Sequence, residues 1–316
     1  MNQLEEMRIF VTLVECKSAS KAAEKLGLAN SAVSRRMKDL ESRLGVQLMQ
    51  RTTRRMHITE DGETYFQRCK RILEDIEETE SLISSSAQRL QGTIKIAAPL
   101  SFGIGHLSSA LAAFMHQHEA IEIDLDMSDR RVDIIQEGFD LALRIGQLED
   151  SSLRARKLSH IKHVVCCSPA FLRQYGPIDT PEKLMQVPTL CYSNIKQPDR
   201  WRYQTAKGEA SDVQVSPRMR SSNGDSLREA AVAGLGIICE PTFICHTAIK
   251  RGLLVPVLTD YQWFDMDLYA IYPQTRHVSA RVRTFIDFLS QRFGEDPYWD
   301  ECMEIENPHK IPATIN

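Results

Sequence analysis

The chain has 316 residues, 42% apolar and 26% charged, which exceeds one ordinary domain and gives two or three units with enough apolar material for real cores. The start MNQLEEMRIF carries acids where a secretion signal carries its basic region, and no apolar run reaches the length of a membrane span, so a cytoplasmic protein with no membrane partner is expected. The net charge of −3 is unevenly spread: residues 1–58 hold 11 basic against 6 acidic side chains, whereas 59–90 and 91–316 are each net −4. A basic head on an acidic body is the layout of a chain that offers one end to a polyanion.

Residues 4–15 place Leu4, Met7, Phe10, Val11 and Val14 at helical spacing and predict a first amphipathic helix. Ser18 and Ser20 are both suited to cap a second helix over AAEKL, which Gly27 closes. Asn30 or Ser31 then caps a third helix that runs to Gly45, and two short helices joined by a glycine-containing turn form a helix-turn-helix. On the third helix Val33, Met37, Leu40 and Leu44 face inward, leaving Asn30, Ser31, Ser34, Arg35 and Lys38 to face a DNA major groove. The segment 46–59 reads as a small hairpin with Leu48 and Ile58 inward and Arg51, Arg54 and Arg55 at its tip, a wing suited to phosphates or the minor groove. Ser18 completes the expected DNA-contacting set.

The stretch SKAAEKLGLANSAVSRRMKDLESRLGVQLMQRTTRRMHITEDG resembles the DNA-binding domain of the LysR-type transcriptional regulators. It carries their A-A-x-x-L, S-A-V-S, L-E-x-x-L-G-x-x-L and R-T-T-R elements in order and spacing. The resemblance implies double-stranded promoter DNA as a partner and a small-molecule sensor domain over most of the remaining chain.

Thr59 is placed to cap a long helix continuing to about Leu90, on which Tyr65, Cys69, Ile72, Ile76, Thr79 and Ile83 step by fours and threes. So narrow a seam needs a second surface, either a partner helix or the chain's own head. The family resemblance makes this helix a homodimer interface, with homotetramers as the larger assembly and RNA polymerase as a further candidate partner.

From Gly92 short apolar strands alternate with helices: TIKIAA, GIGHLSSALAAFMHQH, IEIDLDM, RRVDIIQEG, DLALRIG, then a second set through SLREAAVAG and LGIICEP, and finally LYAIYP and SARVRTFIDFLSQRF. The pattern predicts an α/β domain with parallel strands and crossover helices. It resembles the family's two-lobed, type 2 periplasmic-binding-protein-like effector domain, in which two crossing strands join the lobes and the ligand lies between them. The full expectation is an α/β chain with an all-α-type winged head at 1–59, a linker helix at 60–90 and a regulatory domain at 91–316. Lobe one is then 92–162 with 266–293, lobe two 163–265, and 294–316 a C-terminal extension that hugs the lobes or stays irregular.

Strand ends that meet helix starts favour ligands, because unpaired N–H groups and the helix dipole point there. Small polar residues at such places make Ser101, Phe102, Gly103, Ser128, Ser193, Asn194, Ser222 and Asp225 effector candidates, with Arg144 for carboxylate pairing and Trp201 as an aromatic wall. Each has a structural alternative as helix cap, ion pair or core residue.

No P-loop, G-x-S-x-G, H-E-x-x-H or dinucleotide motif is present, and the eight cysteines (16, 69, 166, 167, 191, 239, 245, 302) contain no C-x-x-C. A regulator with no catalytic residue, metal or cofactor is expected, responding to a small, anionic metabolite. The alternatives are a thiol-based redox sensor, disfavoured because adjacent Cys166 and Cys167 would point to opposite faces of one strand, and a ligand-binding protein with no DNA role.

Overall fold

The computed structural model describes residues 2–51, 56–83, 90–130, 132–146, 153–274 and 278–303. It divides into a unit at Met1–Arg89 and a unit at Leu90–Asn316.

The first unit opens with α1 (Gln3–Cys16), whose N-terminus is capped by the Asn2 side chain accepting from Leu4 N–H. Its buried arc is centred on Ile9, Phe10 and Leu13, while Leu4, expected inward, is 38% exposed. The face is rotated and widened because α1 packs on two sides at once. Phe10 and Leu13 join the helix-turn-helix core, and Val11 meets Cys69 and Leu73.

Helix α2 (Ala19–Leu26) is capped by Ser18, whose hydroxyl accepts from Lys21 N–H, and Gly27 ends it at φ 65°. Ser20 lies inside the helix. Helix α3 (Asn30–Leu44) ends at Gly45, φ 73°, and buries Val33, Met37 and Leu40. Its N-cap is Ala29 with no side-chain bond, so neither Asn30 nor Ser31 is the cap. The Asn30 amide instead donates to Ser20 Oγ at 3.1 Å, tying the two helices of the motif together.

Strands β1 (Met49–Arg51) and β2 (Met56–Ile58) form the antiparallel hairpin, with Leu48 buried and Ile58 against the same core. Glu41 holds the start of that hairpin: its Oε1 accepts from the Leu48 and Met49 amides at 2.9 and 3.0 Å. Arg54 and Arg55 lie outside the described residues, as does the Arg51 side chain.

Helix α4 (Glu60–Ile83) begins where Thr59 Oγ1 accepts from Gly62 N–H at 3.0 Å, and a Cβ on Gly62 would collide with the Leu48 carbonyl. The expected seam along α4 is split. Tyr65 packs on Phe10 at 5.4 Å between ring centroids, and Cys69 is fully buried against Val11, so the head itself takes the first two positions. Ile72, the next position, is 40% exposed. The Thr79 and Ile83 side chains, and the helix continuation to Leu90, lie outside the described residues.

The second unit is built on one twisted sheet. Strand β3 (Gly92–Ala98) leads into a continuous helical run made of α5 (Leu100–Phe102), a π turn (Gly103–Leu107) and α6 (Ser108–Gln117). Strands β4 (Ile121–Met127) and β5 (Leu141–Gly146) lie parallel to β3 on either side. Between them RRVDIIQEG, expected as a helix, holds among its described residues a single turn at 134–138. Asp133 accepts from the Ile135 and Gln136 amides, and Gly138 at φ 76° ends it while Val132, Ile134 and Phe139 plug the sheet's lower face.

Strand β6 (Leu153–Cys167) enters the second half of the domain, followed by α7 (Pro169–Tyr175), a 3-10 turn (Pro181–Gln186) and β7 (Thr189–Tyr192). A hairpin of β8 (Arg200–Gln204) and β9 (Ala210–Gln214) precedes β10 (Pro217–Ser221), α8 (Gly224–Val232) and β11 (Ile237–Pro241). Helix α9 (Thr242–Lys250), β12 (Val255–Val257), β13 (Gln262–Pro273) and α10 (Ala280–Phe293) complete the domain. The sequence reading had not singled out α9, β8 or β12.

Sheet order is β10-β7-β11-β6-β13-β5-β3-β4. Each half is parallel, but β6 and β13 pair antiparallel from Leu153↔Pro273 to His163↔Trp263 and run through both halves. These are the crossing strands, so lobe one (β3, β4, β5, α5, α6, α10) and lobe two (β7 to β11, α7, α8, α9) meet across them. One core covers the α6, α8, α9 and α10 face, with smaller cores on the opposite face of each lobe.

The C-terminal extension folds back as a 3-10 turn (Tyr298–Met303) against α9. Trp299 is fully buried between Phe102 and Phe293 of lobe one and Phe243 of lobe two. Asp300 accepts from the Thr242 hydroxyl at 2.6 Å and pairs with Lys162 at 3.2 Å. Among the described residues no helix is long and apolar enough to cross a membrane, and no cluster of His, Cys, Asp and Glu is placed to hold a metal.

Candidate DNA-binding and effector-binding sites

In the first unit α3 sorts its cations by face. Arg36 is ion-paired with Glu5, and Arg43 grips the buried Glu6 carboxylate through two N–H groups at 3.1 and 2.7 Å. Arg35 and Lys38 are exposed, and no described residue pairs with either. With exposed Asn30 and Ser31 and half-buried Ser34 they form one stripe at spacings of three and four along the helix. A helix held from behind by Glu5, Glu6 and Val33 therefore presents amide, hydroxyl and guanidinium groups outward, the chemistry that reads base edges and phosphates. Ser18 Oγ already accepts the α2 amide bond and keeps its O–H to donate.

In the second unit a cleft of about 430 Å³ opens between the lobes. Of the sequence-based candidates, Ser101, Phe102, Ser128, Arg144 and Asn194 line it. Five others do not. Gly103 lies against Met127, where a side chain would collide with the thioether. Ser193 continues the sheet, its amide donating to Ser221 O, and Ser222 accepts from Asn194 through its carbonyl. Asp225 is ion-paired with Arg228 at 2.6 Å beside a smaller cavity of about 150 Å³. Trp201 is 2% exposed, because alternation along β8 turns it, with Tyr203, into the lobe-two core beside Trp263.

Side chains that the sequence reading passed over complete the wall: Asp129, His163, Tyr192, Glu240, Phe264 and Tyr269. Asp129 accepts from the Leu100 amide at the start of α5, and Arg144 donates to Val132 O at 3.2 Å. Arg130 grips Glu137 with two N–H groups and reaches Asp126 at 3.3 Å. Asn223 caps α8 through Oδ1, which accepts from Ser226 N–H, and donates from Nδ2 to Ser101 Oγ at 3.2 Å. Burial holds His163 down to about 4. Burial, with Asp225 nearby, pushes Glu240 up to about 8. The sequence marks Glu240 only as an acid inside the apolar strand IICEP, a pattern that defines no site by itself.

A model of the bacterial regulatory helix-turn-helix protein, lysR family, matches residues 4–63, and one of the LysR substrate binding domain matches residues 87–294. The transcriptional regulator CrgA of Neisseria meningitidis is 34% identical over 92% of this chain and 97% of its own. Its solved structure superposes with a TM-score of 0.60 over 92% of this chain and 99% of that one. The full-length Vibrio cholerae virulence activator AphB follows with a TM-score of 0.57 at 29% identity, covering 92% of this chain and 98% of its own. A transcriptional repressor of Pseudomonas aeruginosa is 32% identical over 94% of each chain. The chain belongs to the LysR family of DNA-binding transcriptional regulators, with an effector-binding domain behind the winged head, and not to a class of enzymes. Relatives of similar identity are named activator and repressor, so membership leaves the direction of control open.

Proposed function

We propose that this regulator binds promoter DNA as a homodimer in the cytoplasm, and that a small metabolite in the inter-lobe cleft controls its output without a cofactor. The stripe Asn30, Ser31, Ser34, Arg35 and Lys38 carries the reading: it is the outward face of a recognition helix whose other cations are engaged inside the head. The part of α4 beyond Cys69, opening with exposed Ile72, supports pairing with a second copy. Two copies give the two-fold symmetry that reading a pseudo-palindromic site requires.

An effector changes output only if it binds two arrangements of the lobes unequally. Walls drawn from both lobes, with Ser101 and Asn223 bonded across them, support such a dependence on lobe arrangement.

The test is fluorescence anisotropy of the full chain on the promoter fragment beside its own gene, across a salt series. Arg35→Ala should bind about tenfold more weakly, or lower the salt slope by about one if its contact is a phosphate. Unchanged affinity and slope would remove Arg35 from the interface.

A further inference from the structure

Among the described residues, the cleft wall holds two side chains with a buried polar atom left unpartnered, Glu240 and His163. Glu240 is 3% exposed, its Oε1 has no hydrogen-bond partner, and its other oxygen sits under Gly224, where a Cβ would come within 2.7 Å of it. Gly224 also lines the cleft, so the carboxyl lies beneath the first residue of α8. The remaining charged wall residues differ. Asp129 holds the Leu100 amide, Arg130 is taken by Glu137 and Asp126, and Arg144 donates to Val132 O. His163 repeats the pattern on β6, its buried Nδ1 also lacking a partner. A buried acceptor without a donor is costly, and a ligand that supplies the donor recovers that cost.

We infer that the effector carries a hydrogen-bond-donating amine or hydroxyl that meets Glu240, in addition to an acidic group met by wall donors such as Ser101 and Arg144. This rests on the cleft being the effector site and narrows the ligand from any small anion to an amino or hydroxy acid. A cavity of about 430 Å³ is in the range that suits such molecules. The titratable groups around Glu240 are Asp225 on α8, Tyr192 on β7 and the adjacent Cys239 on β11, none of which is a cation that could satisfy it. Its carboxyl is held protonated near neutrality by burial, so an ammonium group brought beside it favours the ionised form and releases a proton on binding.

The experiment titrates the full chain with matched probes, succinate against aspartate and benzoate against 3-aminobenzoate and 3-hydroxybenzoate, by thermal shift at pH 7. At least one donor-bearing probe should bind about tenfold more tightly than its plain counterpart, and Glu240→Leu, which removes the acceptor, should erase that difference. Calorimetry in buffers of different ionisation enthalpy should show proton release for aspartate, whose amine is an ammonium at pH 7, with the parent chain and none with Glu240→Gln. Plain carboxylates that bind as tightly as their donor-bearing partners, or a preference that survives Glu240→Leu, would overturn the inference while leaving the cleft as the effector site. No shift with any probe would count against both.

Discussion

Asn223 Nδ2 donates to Ser101 Oγ at 3.2 Å, joining the cap of the lobe-two helix α8 to the first turn of the lobe-one helix α5. The same Asn223 side chain accepts from Ser226 N–H through Oδ1, so one residue both starts α8 and reaches the facing lobe. Asn223→Ala should cost about 1 kcal/mol from the lost cap, whereas Ser101→Ala removes only the bridge and should cost less. Urea denaturation measures both, and Ser101→Ala should in addition weaken, without abolishing, binding of any cleft ligand.

His106 and Glu240 give stability two opposed pH limbs. His106 is 3% exposed, with Nε2 against Phe243 O at 3.0 Å and Nδ1 against Tyr298 Oη at 2.5 Å, and burial lowers it to about 4. Its contribution is full above the usual histidine value near 6.5 and is lost as pH falls toward about 4, an effect of up to about 3 kcal/mol. Glu240 is raised to about 8, so its effect runs the other way, and stability falls as pH climbs from the ordinary carboxyl range to about 8. Thermal melts across pH should show Glu240→Gln more stable than the parent at pH 8 and near parity at pH 5. A constant offset at all pH values would contradict this.

Trp299 fills the gap between the lobes that Phe102, Phe243 and Phe293 frame. Trp299→Ala should cost about 3–5 kcal/mol, as for a large aromatic removed from a closed core. Ending the chain after Gly294 should destabilise at least as much, since Asp300 and its Thr242 and Lys162 contacts go with it. Equilibrium unfolding reads both.

The cysteines should be poor redox sensors. Cys166 faces the large core beside Cys245 while Cys167 faces the lobe-two core, so the adjacent pair points to opposite sides of β6. The hydrogen bond with Cys245, together with burial, pushes the Cys166 thiol up, and burial pushes up those of Cys167 and Cys239, which disfavours the reactive thiolate. In the native chain Cys69, Cys166, Cys167, Cys191, Cys239 and Cys245 should react with a thiol reagent only on unfolding, and peroxide should leave DNA affinity unchanged. Rapid native labelling of any of the six would reopen the thiol-switch alternative.

The sequence by itself determined the head almost completely. Helix spacing, Gly27, Gly45 and the Ser18 cap are local signals, and the outward stripe of α3 follows from the inward one by helix geometry alone. It also determined that an α/β domain follows, because strand and helix periodicities are local too, whereas the two lobes came from the family resemblance. The tertiary structure decided everything that depends on which distant segments meet. It placed Tyr65 and Cys69 against α1, it drew Asn30 toward Ser20, and it turned Trp201 into a core. The cleft was half legible, since small polar residues at strand ends can be read in order. Its distinguishing group, Glu240, was not, because an acid in an apolar strand gains meaning only when β6, α8 and α9 bury it without a donor. Burial and pairing are properties of segments far apart in sequence, and only the folded chain assigns them.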